Sequence, residues 1–217
     1  MRAAVTLASL AVLLLAQPAS SNILSYHCDG FSMAPNGDQV AVTRSFSGNG
    51  KPTDAIAIWI PKAETARLLM PGMDVNLELH IQYANPTKAG IGTVDSASLT
   101  LQALPLPSRK RSSESLQRDL AKVSVEASID GKPPVPLVLD KDQLSYDLPM
   151  TAHSRFTIRF PGTARSIAFT VRDEKGWTIR TARYDLQQTA GRDAQFRRAL
   201  QKADREALDY KRCTKMG

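Results

Sequence analysis

Between Val75 and Tyr83 apolar and polar residues alternate without a break, with Val75, Leu77, Leu79, Ile81 and Tyr83 set against Asn76, Glu78, His80 and Gln82. A β-strand sends successive side chains to opposite faces, so this rhythm describes a strand with one face in a core and the other in water, as antiparallel sheets provide. The same period returns at Val123, Val125, Ala127 and Ile129, at Phe156, Ile158 and Phe160, and at Ile167, Phe169 and Val171. Asp173 to Gly176 then turns the chain toward Trp177 and Ile179, which predicts a hairpin. Ala55 to Ile60 (AIAIWI) is apolar on both faces and suits a central or doubly covered strand. Trp59 and Trp177 both fall inside strand patterns and read as anchors in the core or on a sheet face rather than as sugar platforms. Asn36-Gly37, Gly48-Asn49-Gly50 and Asp130-Gly131 supply residues that tolerate positive φ where the chain reverses.

From Gly191 the period lengthens. Phe196, Leu200, Ala203, Ala207 and Tyr210 recur every three to four residues, one stripe of an amphipathic helix over about 191–212. Asp193 with Arg197, Lys202 with Glu206 and Arg205 with Asp209 are placed for (i, i+4) ion pairs on its outer side. The fold class that follows is mainly β, an antiparallel β-sandwich-like domain with a C-terminal amphipathic helix. The stretch 104–120, with Pro105, Pro107 and several serines, interrupts the strands and reads as a long loop ending in at most one helical turn. It could separate two packed halves of a single exported domain over 22–217.

Residues 1–21 read as a removable export signal. Arg2 is the positive end, Ala3 to Ala16 is an apolar run too short to anchor in a bilayer, and small residues allow cleavage after Ala16, Ala19 or Ser21. No further stretch has the length a transmembrane anchor needs, so the expected location is periplasmic or secreted. In such a compartment thiols oxidise, and the chain has two cysteines, Cys28 and Cys213. Their pairing staples the start of the folded part to the end of the helix, worth about 4–5 kcal/mol in the chain-entropy account. His27 adjoins Cys28, but catalytic partners meet in space rather than in sequence, so a staple is the better reading than a nucleophile.

Lys and Arg number 28 against 21 Asp and Glu, a formal net charge of +7, and the excess is segregated. Residues 191–217 hold eight basic and four acidic side chains, and residues 109–122 hold five and two. Arg109, Lys110 and Arg111 in the loop, with Arg197, Arg198, Lys202 and Arg205 on the helix, are therefore candidates for one basic face. Its partner would be anionic: lipopolysaccharide phosphate, an acidic glycan or an acidic protein. Nucleic acid is disfavoured by export and by the lack of aromatics interleaved with the cations.

No catalytic or cofactor motif stands out. His27, His80 and His153 lack paired metal-ligand spacing, so no metal or cofactor is implied. Asp140, Asp142 and Asp147 cluster at a turn, and with His153 they are the only candidates for an exported hydrolase. The leading expectation is a non-enzymatic binding protein. An accessory structural subunit of an envelope complex, recognisable by an exposed apolar patch, is the alternative.

The segments VSVEASIDGK (Val123 to Lys132), PLVLDKDQLSYDLP, RFTIRF and IAFTVRDEKGWTIRTARYDL, followed by the amphipathic tail ending in Cys213, resemble in layout the invasion-associated locus B family of exported bacterial proteins. Asp185-Leu186-Gln187-Gln188 departs from the family, which has a Ser-Leu-Lys-Gly-Phe stretch there, and no Trp precedes Cys28 as it does in the family. The resemblance implies an exported, non-enzymatic, envelope-associated β-protein.

Overall fold

A computed structural model describes residues 25–63, 67–70, 73–105, 111–140, 152–159, 161–187, 189–208 and 213–216. The export segment, Arg109, Lys110, Asp142, Asp147, Phe160, Asp209, Tyr210 and Arg212 lie outside the described residues, as do the side chains of Asp140 and His153. In chain order the strands are β1 (Ser25–Met33), β2 (Gln39–Phe46), β3 (Pro52–Ile60), β4 (Arg67–Met70), β5 (Met73–Ala84) and β6 (Thr93–Pro105). Helix α1 (Ser113–Leu120) follows, then β7 (Ser124–Ile129), β8 (Val135–Pro136), β9 (Val138–Asp140), β10 (Ala152–Ile158), β11 (Ser166–Arg172) and β12 (Thr178–Asp185). Helix α2 (Thr189–Ala207) and β13 (Thr214–Met216) complete the described chain.

Two antiparallel sheets result. The larger runs β13-β1-β2-β3-β5-β6-β10-β9, with β4 sharing one edge of β5, and the smaller runs β12-β11-β7-β8. Register aligns the alternating apolar residues across the larger sheet: Val40 faces Trp59, Trp59 faces Ile81, and Leu79, Leu99 and Phe156 form one row. One face of this sheet is therefore continuous apolar surface, and it must be covered. Helix α2 covers β1 and β2, α1 covers β6 and β10, and the smaller sheet lies over the middle. There Tyr184 Oη of β12 donates to the Leu77 carbonyl at 3.1 Å, and its ring meets Phe169 edge-on at 5.7 Å. The chain changes sheets between β8 and β9, where the Leu137 N–H donates to Val125 O at 2.8 Å. The β-sandwich-like class with a C-terminal helix is thus observed, and one apolar core runs through both sheets and both helices.

Several expectations need correction. The stretch after Pro105 contains a two-turn helix rather than at most one turn: Ser112 Oγ accepts the Ser115 N–H as an N-cap, and Leu116 and Leu120 enter the core. Helix α2 starts two residues before Gly191 and ends at Ala207. Trp59 is a core residue, but Trp177 is 72% exposed. A register irregularity between Val171 and Arg172 leaves Trp177 in the turn before β12, its N–H bound to Asp173 Oδ1, so the strand alternation does not reach it. β3 is central, yet only its Ala57 and Trp59 face is buried, since Ile56 on the other side is exposed.

Strand β1 carries no hydrophobic alternation because its inward residues are small. Cys28, Gly30 and Ser32 face α2, whereas Phe31 and Met33 face outward, 45% and 55% exposed. A Cβ on Gly30 would lie 1.8 Å from the Ala199 carbonyl oxygen, so the helix backbone rests directly on the strand.

Candidate anion-binding groove

The position of α2 decides where its cations point. Phe196, Ala199, Leu200 and Ala203 form its buried stripe, against Gly30 and its neighbours. At its start the Arg192 guanidinium lies 5.5 Å from the ring centroids of both Trp59 and Tyr83, donates to Tyr83 Oη at 3.2 Å, and pairs with Asp193 at 2.9 Å. Burial pushes the Tyr83 phenol above its ordinary value, and the neighbouring Arg192 charge opposes that rise. Ser32 Oγ donates to buried Gln195 Oε1, and Arg44 of β2 pairs with Asp204 at 2.9 Å. After the helix, Cys28 and Cys213 form the expected disulfide, with Cα atoms 4.7 Å apart. β13 then pairs with β1.

With the stripe and these ties set, Arg197, Arg198, Lys202 and Arg205 are all exposed. The (i, i+4) pairing of Asp193 with Arg197 does not form, because Asp193 is taken by its neighbour Arg192. Lys202 and Glu206 likewise show no ion pair among the described residues, and Asp209 lies outside them. Arg197 and Arg205 line one recess of about 440 Å³, together with Leu200, Gln201, Asp204 and Lys88. Arg198 and Lys202 do not line it.

Lys88 comes from the β5–β6 connection. Asn85 there takes φ +52°, Thr87 and Gly90 exchange two backbone hydrogen bonds, and Lys88 sits at the tip of that turn. Nothing in the sequence signals this cation, because a single lysine in a turn has no pattern and its approach to α2 depends on the whole sheet. Against this wall a second recess of about 290 Å³ is lined by Arg44, Pro52 to Ala55 and Asn85 to Thr87.

The structure does not join Arg111 to this group. Its guanidinium turns back on α1, donating to Ser115 Oγ at 2.7 Å and pairing with Asp119 at 2.6 Å. Among the described residues no three His, Cys, Asp or Glu side chains gather to hold a metal. His80 pairs with Glu78 at 3.2 Å, and His27 Nδ1 lies 2.9 Å from Ser45 Oγ; both pairs sit on the outward face of the larger sheet, as the polar phase of β5 predicts for His80. No described helix is long and apolar enough to cross a membrane.

In the recess, Lys88, Arg197 and Arg205 have no carboxylate within ion-pair distance among the described residues, while Asp204 is answered by Arg44. Three unanswered cations around a concave surface create a positive potential that concentrates anions. No known protein family, characterised protein or solved structure matches this chain.

Proposed function

We propose that this chain is an exported binding protein of the bacterial envelope, periplasmic or secreted, that holds an anionic ligand in the recess between α2 and the Lys88 turn. One observation carries the reading: Lys88, Arg197 and Arg205 converge on a single recess with no carboxylate neutralising them among the described residues. The apolar leader sequence and the disulfide between the chain's distant cysteines support export. The resemblance in layout to the invasion-associated locus B family, read from the sequence, agrees with a non-enzymatic envelope role.

Binding of lipopolysaccharide, polygalacturonate and polyglutamate to the oxidised chain tests it. The double variant Arg197→Glu and Arg205→Glu is expected to lose tenfold or more in affinity for the preferred anion with an unchanged melting temperature. Raising the salt from about 0.05 to about 0.5 M is expected to weaken the parent chain, since exposed charges are screened within a few ångströms at high salt. Equal binding by parent and variant at both salt levels removes the reading.

A second reading, the accessory subunit, is favoured by the outward face of β1 to β3. Phe31, Met33 and Ile56 are exposed there, and Ala41 and Ile58 share a register row with Phe31. A stoichiometric protein partner would cover this patch. Native mass spectrometry of complexes captured from envelope fractions, with and without Phe31→Asp, checks it; a partner retained by the variant counts against it.

A further inference from the structure

The two recesses beside α2 share a wall. Arg44 lines one and Asp204 the other, and these two side chains are bonded to each other at 2.9 Å. Asn85 to Thr87 line the first and Lys88, the next residue, lines the second. The two recesses therefore adjoin, with the Arg44–Asp204 pair at the seam. Arg44 Nε is buried with no partner among the described residues, so the seam also holds one unmet donor.

The two parts differ in chemistry. The Lys88, Arg197 and Arg205 part offers cationic donors and suits a carboxylate, sulfate or phosphate. The other part is lined by the exposed residue Asp54, whose carboxylate repels an anion. Asp54 Oδ1 accepts the Ala55 N–H at 2.7 Å, and a carboxylate accepts more than one hydrogen bond, so acceptor capacity remains. Thr53, whose hydroxyl both donates and accepts, and Asn85, whose amide does too, line the same recess. Pro52 adds a non-polar ring surface. Mixed donors and acceptors beside an apolar ring are what a neutral polyol requires.

Resting on the anion-binding reading above, we propose that the ligand is an acidic oligosaccharide: its anionic group occupies the Lys88–Arg197–Arg205 end and the hydroxyls of an adjoining residue occupy the Asp54 end. The sign of one substitution separates this from a general anion site. If Asp54 accepts from sugar hydroxyls, its removal weakens binding; if the groove only attracts negative charge, removing a carboxylate strengthens it.

The oxidised chain is titrated with trigalacturonic acid, maltotriose, polyglutamate and inorganic phosphate by calorimetry, as parent, as Asp54→Ala, as Thr53→Val and as the Arg197→Glu, Arg205→Glu double variant. Thermal unfolding confirms that each variant folds. The expected result is trigalacturonate binding at least tenfold tighter than phosphate or maltotriose, a five- to tenfold loss for trigalacturonate in Asp54→Ala, a smaller loss in Thr53→Val, and no loss for phosphate in either. Unchanged or tighter trigalacturonate binding in Asp54→Ala overturns the saccharide assignment while leaving the anion site intact. Preference for polyglutamate over trigalacturonate overturns it in favour of an acidic protein. Indifference of every probe to the double charge reversal, or no binding of any anion by the parent, removes the anion site itself and the saccharide assignment with it.

Discussion

Two segments of this chain look alike in composition, and the fold treats them in opposite ways. Residues 109–122 and 191–217 both carry about two cations for each acid. Around α1 two of the three described cations are answered and only Arg118 is not: Arg111 pairs with Asp119 at 2.6 Å, and Lys122 lies 3.9 Å from Asp119 and 3.8 Å from Glu174 across on the β11–β12 hairpin. On α2 two of the three described acids are engaged elsewhere, Asp193 by Arg192 and Asp204 by Arg44, and Arg197, Arg198, Lys202 and Arg205 are left without an ion pair among the described residues. A basic run becomes an electrostatic site where its carboxylates are engaged away from its outward cations, as Asp204 is by Arg44 of a distant strand. Which run does so is decided by elements distant in sequence.

The largest test of this contrast is on the tie that holds α2. Replacing Cys28 and Cys213 by serine is expected to cost about 4–5 kcal/mol on the chain-entropy estimate, read as a fall in the denaturant midpoint. Preserved stability would mean that packing alone seats the helix. Gly30→Ala comes next. Its Cβ would lie 1.8 Å from the Ala199 carbonyl oxygen and 2.9 Å from Ala203 N, contacts that backbone cannot easily yield, so a loss of about 3 kcal/mol is expected, at the upper end for overpacking. The same variant should weaken anion binding through Arg197 and Arg205, while Gly131→Ala, at an open turn, should not.

Smaller and more selective is the paired comparison of Arg111→Ala with Arg197→Ala. The first removes a partly buried ion pair and is expected to lower stability by about 1 kcal/mol or less without touching anion affinity. The second should do the reverse. If both variants change binding equally, the two segments form one face after all. The smallest effect concerns pH. Burial raises the phenols of Tyr83 and Tyr184 above their ordinary value of 10.0, with the Glu78 charge adding to the shift at Tyr184. A raised acid is protonated in the folded state, so its stabilisation is complete below pH 10 and declines as pH climbs past that point. Tyr184→Phe, which loses the bond to Leu77 O at about 1 kcal/mol, is expected to flatten the fall in melting temperature above pH 10.

How much was legible follows from which residues fill inward positions. β5 and β11 bury Val, Leu, Ile, Phe or Tyr at every second place and β7 buries Val125 and Ala127, and these strands were readable from alternation alone. β1 was not, because contact with α2 needs Cys28, Gly30 and Ser32 inward and leaves Phe31 and Met33 in water, an inverted pattern. β6 ends its buried row in Ala97 and Ala103, too small to mark a period. The disulfide was readable because two cysteines admit a single pairing. Of the groove, Arg197 and Arg205 were named from charge, but Lys88, Asp54 and the seam at Arg44 arise from strand order, which no local pattern records.

The staple between Cys28 and Cys213 also has a mechanical meaning. Ser25 and Met216 are register partners on adjacent antiparallel strands, with the covalent link a few residues inside them. Tension applied between these two points passes from β1 to β13 through the sulfur bridge. The chain between the cysteines, 185 positions apart in sequence, lies off the covalent line of force, so both helices and the groove are spared it. The load falls on the three β1–β13 register pairs, which peel from the outer end, and on the β1–β2 pairs at Tyr26 and His27 that flank them.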